Sequence, residues 1–175
     1  MLRALDIVVG IKLICQPGLG QVQTATQLRL HQSQVSNSIK LLLDRQLFWG
    51  SKKKLEPNFY AWEELLPILK YFYPANIGSI TVGMPTSYAA PPLNTIMQAG
   101  NDPVPVWPCG HAKTKGLRVE PLHPNIPEAL IQYPDQDFYE ILTLVDALRI
   151  GSARDKEYGK KLLLEKFAIF EKERM

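Results

Sequence analysis

Cysteine is nearly missing from this 175-residue chain: only Cys15 and Cys109 occur, far apart and in no paired pattern. A disulfide framework is therefore not expected. Long apolar runs are missing too. No window approaches the roughly 18 uninterrupted apolar residues that span a bilayer, so no membrane partner is expected. The segment MLRALDIVVGIKLICQPG sets Arg3 before an apolar stretch, as a signal peptide would. Asp6 and Lys12 interrupt that stretch, however, and no small-residue cleavage site follows. It reads as a helix, and the chain as a cytoplasmic one. Catalytic signatures are also wanting. There is no Gly-x-Ser-x-Gly, no glycine-rich phosphate loop ending in Lys-Ser/Thr and no His-Glu-x-x-His. Asp135, Asp137 and Glu140 lie close together, yet without histidine or a glycine loop they read as a helix N-terminus. Neither an enzyme nor a cofactor is expected. Cys109, His111 and His123 are near neighbours in sequence, but their spacing matches no familiar zinc site and no fourth ligand is obvious, so no metal is expected either.

What is present is concentrated between Thr24 and Phe48, TATQLRLHQSQVSNSIKLLLDRQLF. Small and apolar residues at Ala25, Leu28, Leu30, Val35, Ile39 and Leu42 predict a short helix ending near Leu28, a tight turn, and a second helix starting near Gln32. In that second helix, over 32–44, Val35, Ile39 and Leu42 stand at i, i+4 and i+7 and form one buried stripe. The opposite stripe is Ser33, Ser36, Asn37 and Lys40. It carries no carboxylate, which phosphates would repel, and Gln32 and Gln34 sit in its first turn. In a helix-turn-helix that turn reaches base edges, where amides and hydroxyls read and lysine meets phosphate. The competing reading is an ordinary amphipathic helix with a solvated polar face.

Charge favours the first reading. From Gln21 to Lys54 six basic residues face one acidic residue, a local net charge of +5, whereas the whole chain carries only +3. Such asymmetry is what an electrostatic footprint for nucleic acid requires. After Phe48, Trp49-Gly50-Ser51-Lys52-Lys53-Lys54-Leu55 reads as a Gly-Ser turn followed by three lysines, the place of a wing hairpin. Lys52, Lys53 and Lys54 would then meet the sugar-phosphate backbone, adding affinity and salt dependence without sequence information.

The rest of the chain has a different texture. Leu5–Cys15 predicts a first helix packing across the pair, and the glycines and proline of 16–20 break it. Glu63–Tyr73 predicts a short helix interrupted by Pro67, with Phe59, Trp62 and the apolar members Leu65, Leu66, Leu69, Phe72 and Tyr73 packing back on the N-terminal unit. From Pro74 to Pro127 proline and glycine are frequent. Short strands are expected at 80–82, 104–107 and 116–120, confined to edges or irregular chain by their prolines. Met84, Tyr88, Leu93, Ile96, Met97, Trp107 and Leu122 seek burial, so the layer is ordered rather than a linker. Phe138, Ile141, Leu142, Val145 and Leu148 mark a helix stopped by Gly151. Ser152 caps a last helix, with Asp155 at its third position. Asp146, Arg149, Arg154 and Asp155 are expected to clamp the corner between these two helices.

Thr24–Phe48 resembles the reading head of the MarR-like winged-helix regulators, whose pattern is Leu-Ala-x-x-Leu-Gly-Leu-Ser-x-x-x-Val-Ser-x-x-Ile-x-x-Leu-x-x-x-Gly-Leu. Ala25, Leu28, Leu30, Val35, Ser36, Ile39, Leu42 and Leu47 hold matching positions. Arg29 and Gln46 stand where that pattern has glycine, which puts the shape of both turns in question. Gly83–Leu93, Pro105–Gly110, Gly116–Leu130 and Leu144–Leu163 are similar, in order and spacing, to the C-terminal extension of a poorly characterised bacterial family of such regulators. The resemblance implies double-stranded DNA binding and transcriptional control, and names no catalytic residue, ligand or operator. The expectation is thus a mainly α protein with small β content (α+β). A winged helix-turn-helix occupies 1–73, and a loop-rich layer with two C-terminal helices occupies 74–175. It would act as a repressor and as a homodimer, with two recognition helices in successive major grooves. The interface would come from the C-terminal layer or the N-terminal helix. The alternative is a protein-interaction module, such as an antitoxin-type autoregulator, that grips a partner protein through its C-terminal region.

Overall fold

The computed structural model describes residues 1–98 and 100–175 and shows an α+β protein. Helix α1 (Ala4–Cys15) lies at its centre, with every residue from Leu5 to Ile14 buried. Two of these are charged, and each is neutralised where it lies. Asp6 accepts from the Arg3 side chain (2.8 Å to Nη2) and from Ser38 Oγ (2.6 Å). Burial alone would push the Asp6 carboxyl up, but these hydrogen bonds outweigh it and hold it below the ordinary carboxylate range. Lys12 Nζ lies 2.7 Å from Asp135 Oδ2, with both side chains under a tenth exposed. The two charges that break the apolar run in the sequence are therefore the ones that fasten α1 to its neighbours.

Helices α2 (Gln21–Leu28) and α3 (Gln32–Asp44) follow, α2 ending near the predicted residue and α3 spanning the predicted 32–44. Arg29 and Gln46, the residues standing in place of glycine, both take positive φ (56° and 57°). The turns keep the left-handed conformation and bear its strain instead of changing shape. Strands β1 (Phe48–Ser51) and β2 (Lys54–Pro57) pair antiparallel with Ser51 opposite Lys54. Lys52 and Lys53 are therefore the turn. The expected Gly-Ser turn is corrected: Gly50 and Ser51 belong to β1, whose ladder runs on past them.

Helix α4 runs unbroken from Phe59 to Phe72, although Pro67 lies inside it. Interruption was the expectation. Proline removes one intrahelical hydrogen bond, while Trp62, Leu66 and Leu69 are buried on both sides of it and hold the axis. Asn58 caps the helix by accepting from the Ala61 amide (3.3 Å), and the Trp62 indole donates to Leu47 O (2.9 Å). Phe72, expected in the core, is 65% exposed.

Strands β3 (Ile77–Pro85), β4 (Val104–Pro108) and β5 (Thr114–Val119) pair each with both others, so this small sheet closes on itself. Strand β3 is antiparallel to β4 and β5, which are parallel to each other. The edge strands anticipated from the prolines are instead members of a ring. Such tight closure needs two positions without a side chain. A Cβ on Gly83 would sit 2.1 Å from Trp107 O, and one on Gly116 2.0 Å from Val104 O. Two 3-10 turns, Ser87–Ala89 and Leu93–Thr95, join β3 to β4.

A short helix α5 (Ile126–Gln132), not anticipated from the sequence, precedes α6 (Gln136–Ile150) and α7 (Ala153–Arg174). Asp135 caps α6 by accepting from the Phe138 amide (3.1 Å), and Ser152 caps α7 with Asp155 returning the bond (2.8 Å). The expected corner clamp is placed differently. Asp146 pairs with Arg149 (2.6 Å) and accepts from Trp107 Nε1 (2.6 Å) and Thr86 Oγ1 (2.8 Å), while Arg149 reaches Tyr73 O and Glu120 O. Burial raises the Asp146 carboxyl, and its three donors oppose that rise. The network thus ties the strand ring to α6. Arg154 lies over the Tyr158 ring instead, and Asp155 is spent on the cap. One hydrophobic core runs from Leu5 through Leu42, Trp62 and Trp107 to Phe138 and Phe170. Among the described residues no helix is long and apolar enough to cross a membrane.

Candidate nucleic-acid interface

Helix α3 is divided by its own periodicity. Val35, Ile39 and Leu42 are buried against the core, and Ser38 turns inward to Asp6. Gln32, Ser33, Asn37 and Lys40 are exposed. The outward face thus offers an amide at each end of its first two turns, a hydroxyl between them and a cation beyond. From Gln32 to Lys40 it holds no carboxylate; Asp44 comes only at the last residue.

Two predicted members are engaged within the protein. Gln34 Oε1 accepts from the His31 amide (2.9 Å), which closes the first turn of α3, and Gln34 is only half exposed. Its acceptor is a helix cap, leaving its amide nitrogen as the part available outward. Ser36 Oγ accepts from Lys52 Nζ (3.1 Å). That bond was not foreseen, and it matters geometrically: the hairpin turn is held beside the α3 face. Lys52 and Lys53 form the tip, and Lys54 begins β2 within 3.9 Å of Glu56. All three lysines are exposed. The predicted site residues therefore come together on one side of the molecule.

A cleft of about 540 Å³ opens there, lined by Gly20, Gln21, Gln32, Lys52, Lys53 and Leu55 among others. It joins the N-terminus of α2, where free amides and the helix dipole favour negative charge, to the lysines of the hairpin. Trp49, half exposed on β1, is a further surface residue of this region that sequence reasoning passed over. Its only signal was an aromatic next to the lysine run.

The turn between α2 and α3 is braced by the C-terminal half. Asn125 Nδ2 donates to Arg29 O (2.8 Å), and Arg29 Nη1 stands 3.9 Å from Glu128 Oε2. Glu128 in turn meets Cys109 and His111. Cys109 Sγ is 3.2 Å from Oε1, and His111 Nδ1 is 2.9 Å from each carboxylate oxygen. His123 is not part of this group; it is half-buried, with Nδ1 accepting from the Asn125 amide (3.2 Å). Of Cys109, His111 and His123, near neighbours in sequence, the first two meet in space, and the third member of their group is Glu128, from a helix the sequence did not announce.

No family model, no curated protein and no solved structure matches this chain.

Proposed function

We propose that the protein is a sequence-specific DNA-binding regulator of MarR-like, winged helix-turn-helix type, with α3 as its reading helix and the β1–β2 hairpin as its wing. The observation that carries the reading is the exposed, carboxylate-free face of Gln32, Ser33, Asn37 and Lys40, with the lysine-tipped hairpin bonded beside it through Lys52 and Ser36. In this arrangement Ser33, Asn37 and Gln32 read base edges in the major groove. Lys40, Lys52, Lys53 and Lys54 bind phosphates and supply the salt-dependent share of affinity.

The regulator acts as a homodimer, its two α3 helices about 34 Å apart in successive major grooves. Helix α1 is buried along its length and offers no such interface. The apolar residues exposed on α4, namely Tyr60, Ile68, Tyr71 and Phe72, supply one. The same four residues favour a second reading, in which α4, rather than the C-terminal region expected from the sequence, grips a different protein, as an antitoxin-type autoregulator would. Sedimentation separates the two: the first requires a dimer of the purified chain, the second a monomer.

Fluorescence anisotropy with duplex DNA from upstream of the protein's own gene, against a scrambled duplex over a salt series, tests DNA binding itself. Preference for the native duplex that persists at physiological salt supports the reading, and absence of binding to either at low salt overturns it. Asn37→Ala or Ser33→Ala weakens the specific complex, by about 1–3 kcal/mol for a lost base contact. Lys53→Ala with Lys54→Ala weakens all complexes alike and lowers the salt slope by about two.

A further inference from the structure

We propose that Cys109, His111 and Glu128 form a binding site for a zinc-type divalent transition-metal ion, using one sulfur, one imidazole nitrogen and one carboxylate oxygen. The three come from two separate pieces of chain. Cys109 follows β4, its amide bonded to Val82 O (3.2 Å), and a turn closed by the Ala112 amide on Cys109 O (3.2 Å) brings His111 back beside it. Glu128 arrives from the first turn of α5. All three donor atoms lie within 4.8 Å of one another.

The spacing suits a small ion. Ligand atoms bonded to tetrahedral zinc at about 2.0–2.3 Å stand roughly 3.3–3.6 Å from each other. Here Sγ and Oε1 are 3.2 Å apart, and Nδ1 and Oε1 2.9 Å. These two separations lie within a few tenths of an ångström of the tetrahedral values, the Cys109–His111 pair is within 4.8 Å, and the side chain free to adjust, His111, is 73% exposed. The donor set selects the metal. A thiolate beside an imidazole favours zinc and its neighbours over magnesium or calcium, which take oxygen. Three protein ligands leave one position to solvent, as in open zinc sites. On loading, the Cys109 thiol gives its proton to solvent and His111 binds through Nδ1 with its proton on Nε2. Glu128 then neutralises the ion in preference to Arg29, whose guanidinium is 3.9 Å away.

The test uses the full chain, stripped of metal and held reduced by a phosphine, titrated with cobalt(II). The expected result is one equivalent of tetrahedral visible bands with a near-ultraviolet thiolate-to-cobalt charge-transfer band, bleached by one equivalent of zinc. Cys109→Ser abolishes the charge-transfer band. His111→Ala, at an exposed side chain, and Glu128→Gln, which keeps the shape of its side chain, weaken cobalt binding by about tenfold or more. Cys15→Ser leaves the spectrum unchanged. A protein that shows no charge-transfer band at saturating cobalt overturns the proposal. So does a band that survives Cys109→Ser, or an affinity indifferent to both His111→Ala and Glu128→Gln.

Discussion

Replacing Gln46 with glycine is expected to stabilise the protein, which is unusual for a substitution that deletes a side chain. Gln46 has φ of 57° in the turn between α3 and β1. The left-handed region costs a residue with a Cβ about 1–2 kcal/mol. Glycine escapes that cost but brings extra chain freedom to the unfolded state, worth about 0.5–1 kcal/mol. The difference is a gain of about 0.5–1 kcal/mol, or a Tm rise of roughly 1–4 °C for a chain of this length. Nothing else of value is lost. The bonds made at this position are backbone ones, Gln46 N to Leu43 O (3.0 Å) and Asn58 Nδ2 to Gln46 O (2.8 Å), and the side chain is exposed. Urea unfolding followed by circular dichroism reads the effect, with Gln46→Ala as comparator. Alanine keeps the Cβ and so keeps the strain, and is expected within about 0.5 kcal/mol of the parent. If glycine proves no more stable than alanine, the turn does not carry the strain ascribed to it.

Other substitutions probe the interior and the effect of pH. Gly10→Ala would set its new methyl 2.4 Å from the Trp62 ring, and overpacking of this kind costs about 1–3 kcal/mol in denaturant unfolding. Lys12→Met leaves the Asp135 carboxylate without its counter-charge and with the Phe138 amide as its remaining donor, a loss of about 3–5 kcal/mol; adding Asp135→Asn should recover part of it, a coupling that a double-mutant cycle measures. His123 is held below its ordinary value of 6.5 by burial. The unfolded chain therefore binds that proton more readily than the folded one. Stability should fall as pH drops from about 6.5 through the lowered folded value, and His123→Asn should flatten that part of the profile of Tm against pH.

Much of the helical frame was legible because it depends on local signals. The stripe Val35, Ile39 and Leu42, and the pairing of Ser152 with Asp155, each act within a turn or two, and the structure keeps both. Tertiary context changed what local rules gave. Pro67 was read as a break because a proline removes a hydrogen bond, yet the packing of Trp62 and Leu66 carries α4 through it. The hairpin turn slipped by two residues because the strand pairing places Gly50 opposite Leu55. The ring of β3, β4 and β5 depends on contacts between Gly83 and Trp107 and between Gly116 and Val104, which no sequence window spans. At the candidate interface the residue types were legible, while their internal partners were not. That Gln34 caps its own helix and Ser36 takes a bond from Lys52 follows from geometry alone.

The burial of α1 also sets an order of events in synthesis. Its Lys12 waits for a partner 123 residues further along, and the carbonyl of Ile14 is met by Arg174, 160 residues on. At translation rates of about 5–20 residues per second, the helix is outside the ribosome for roughly 6–25 seconds before Asp135 emerges. During that time Ile7, Ile11 and Ile14 have only α2 to α4 to cover them. Helix α1 is thus made before the elements that seal it, and slowing translation after α4 should favour aggregation of the nascent chain over its folding.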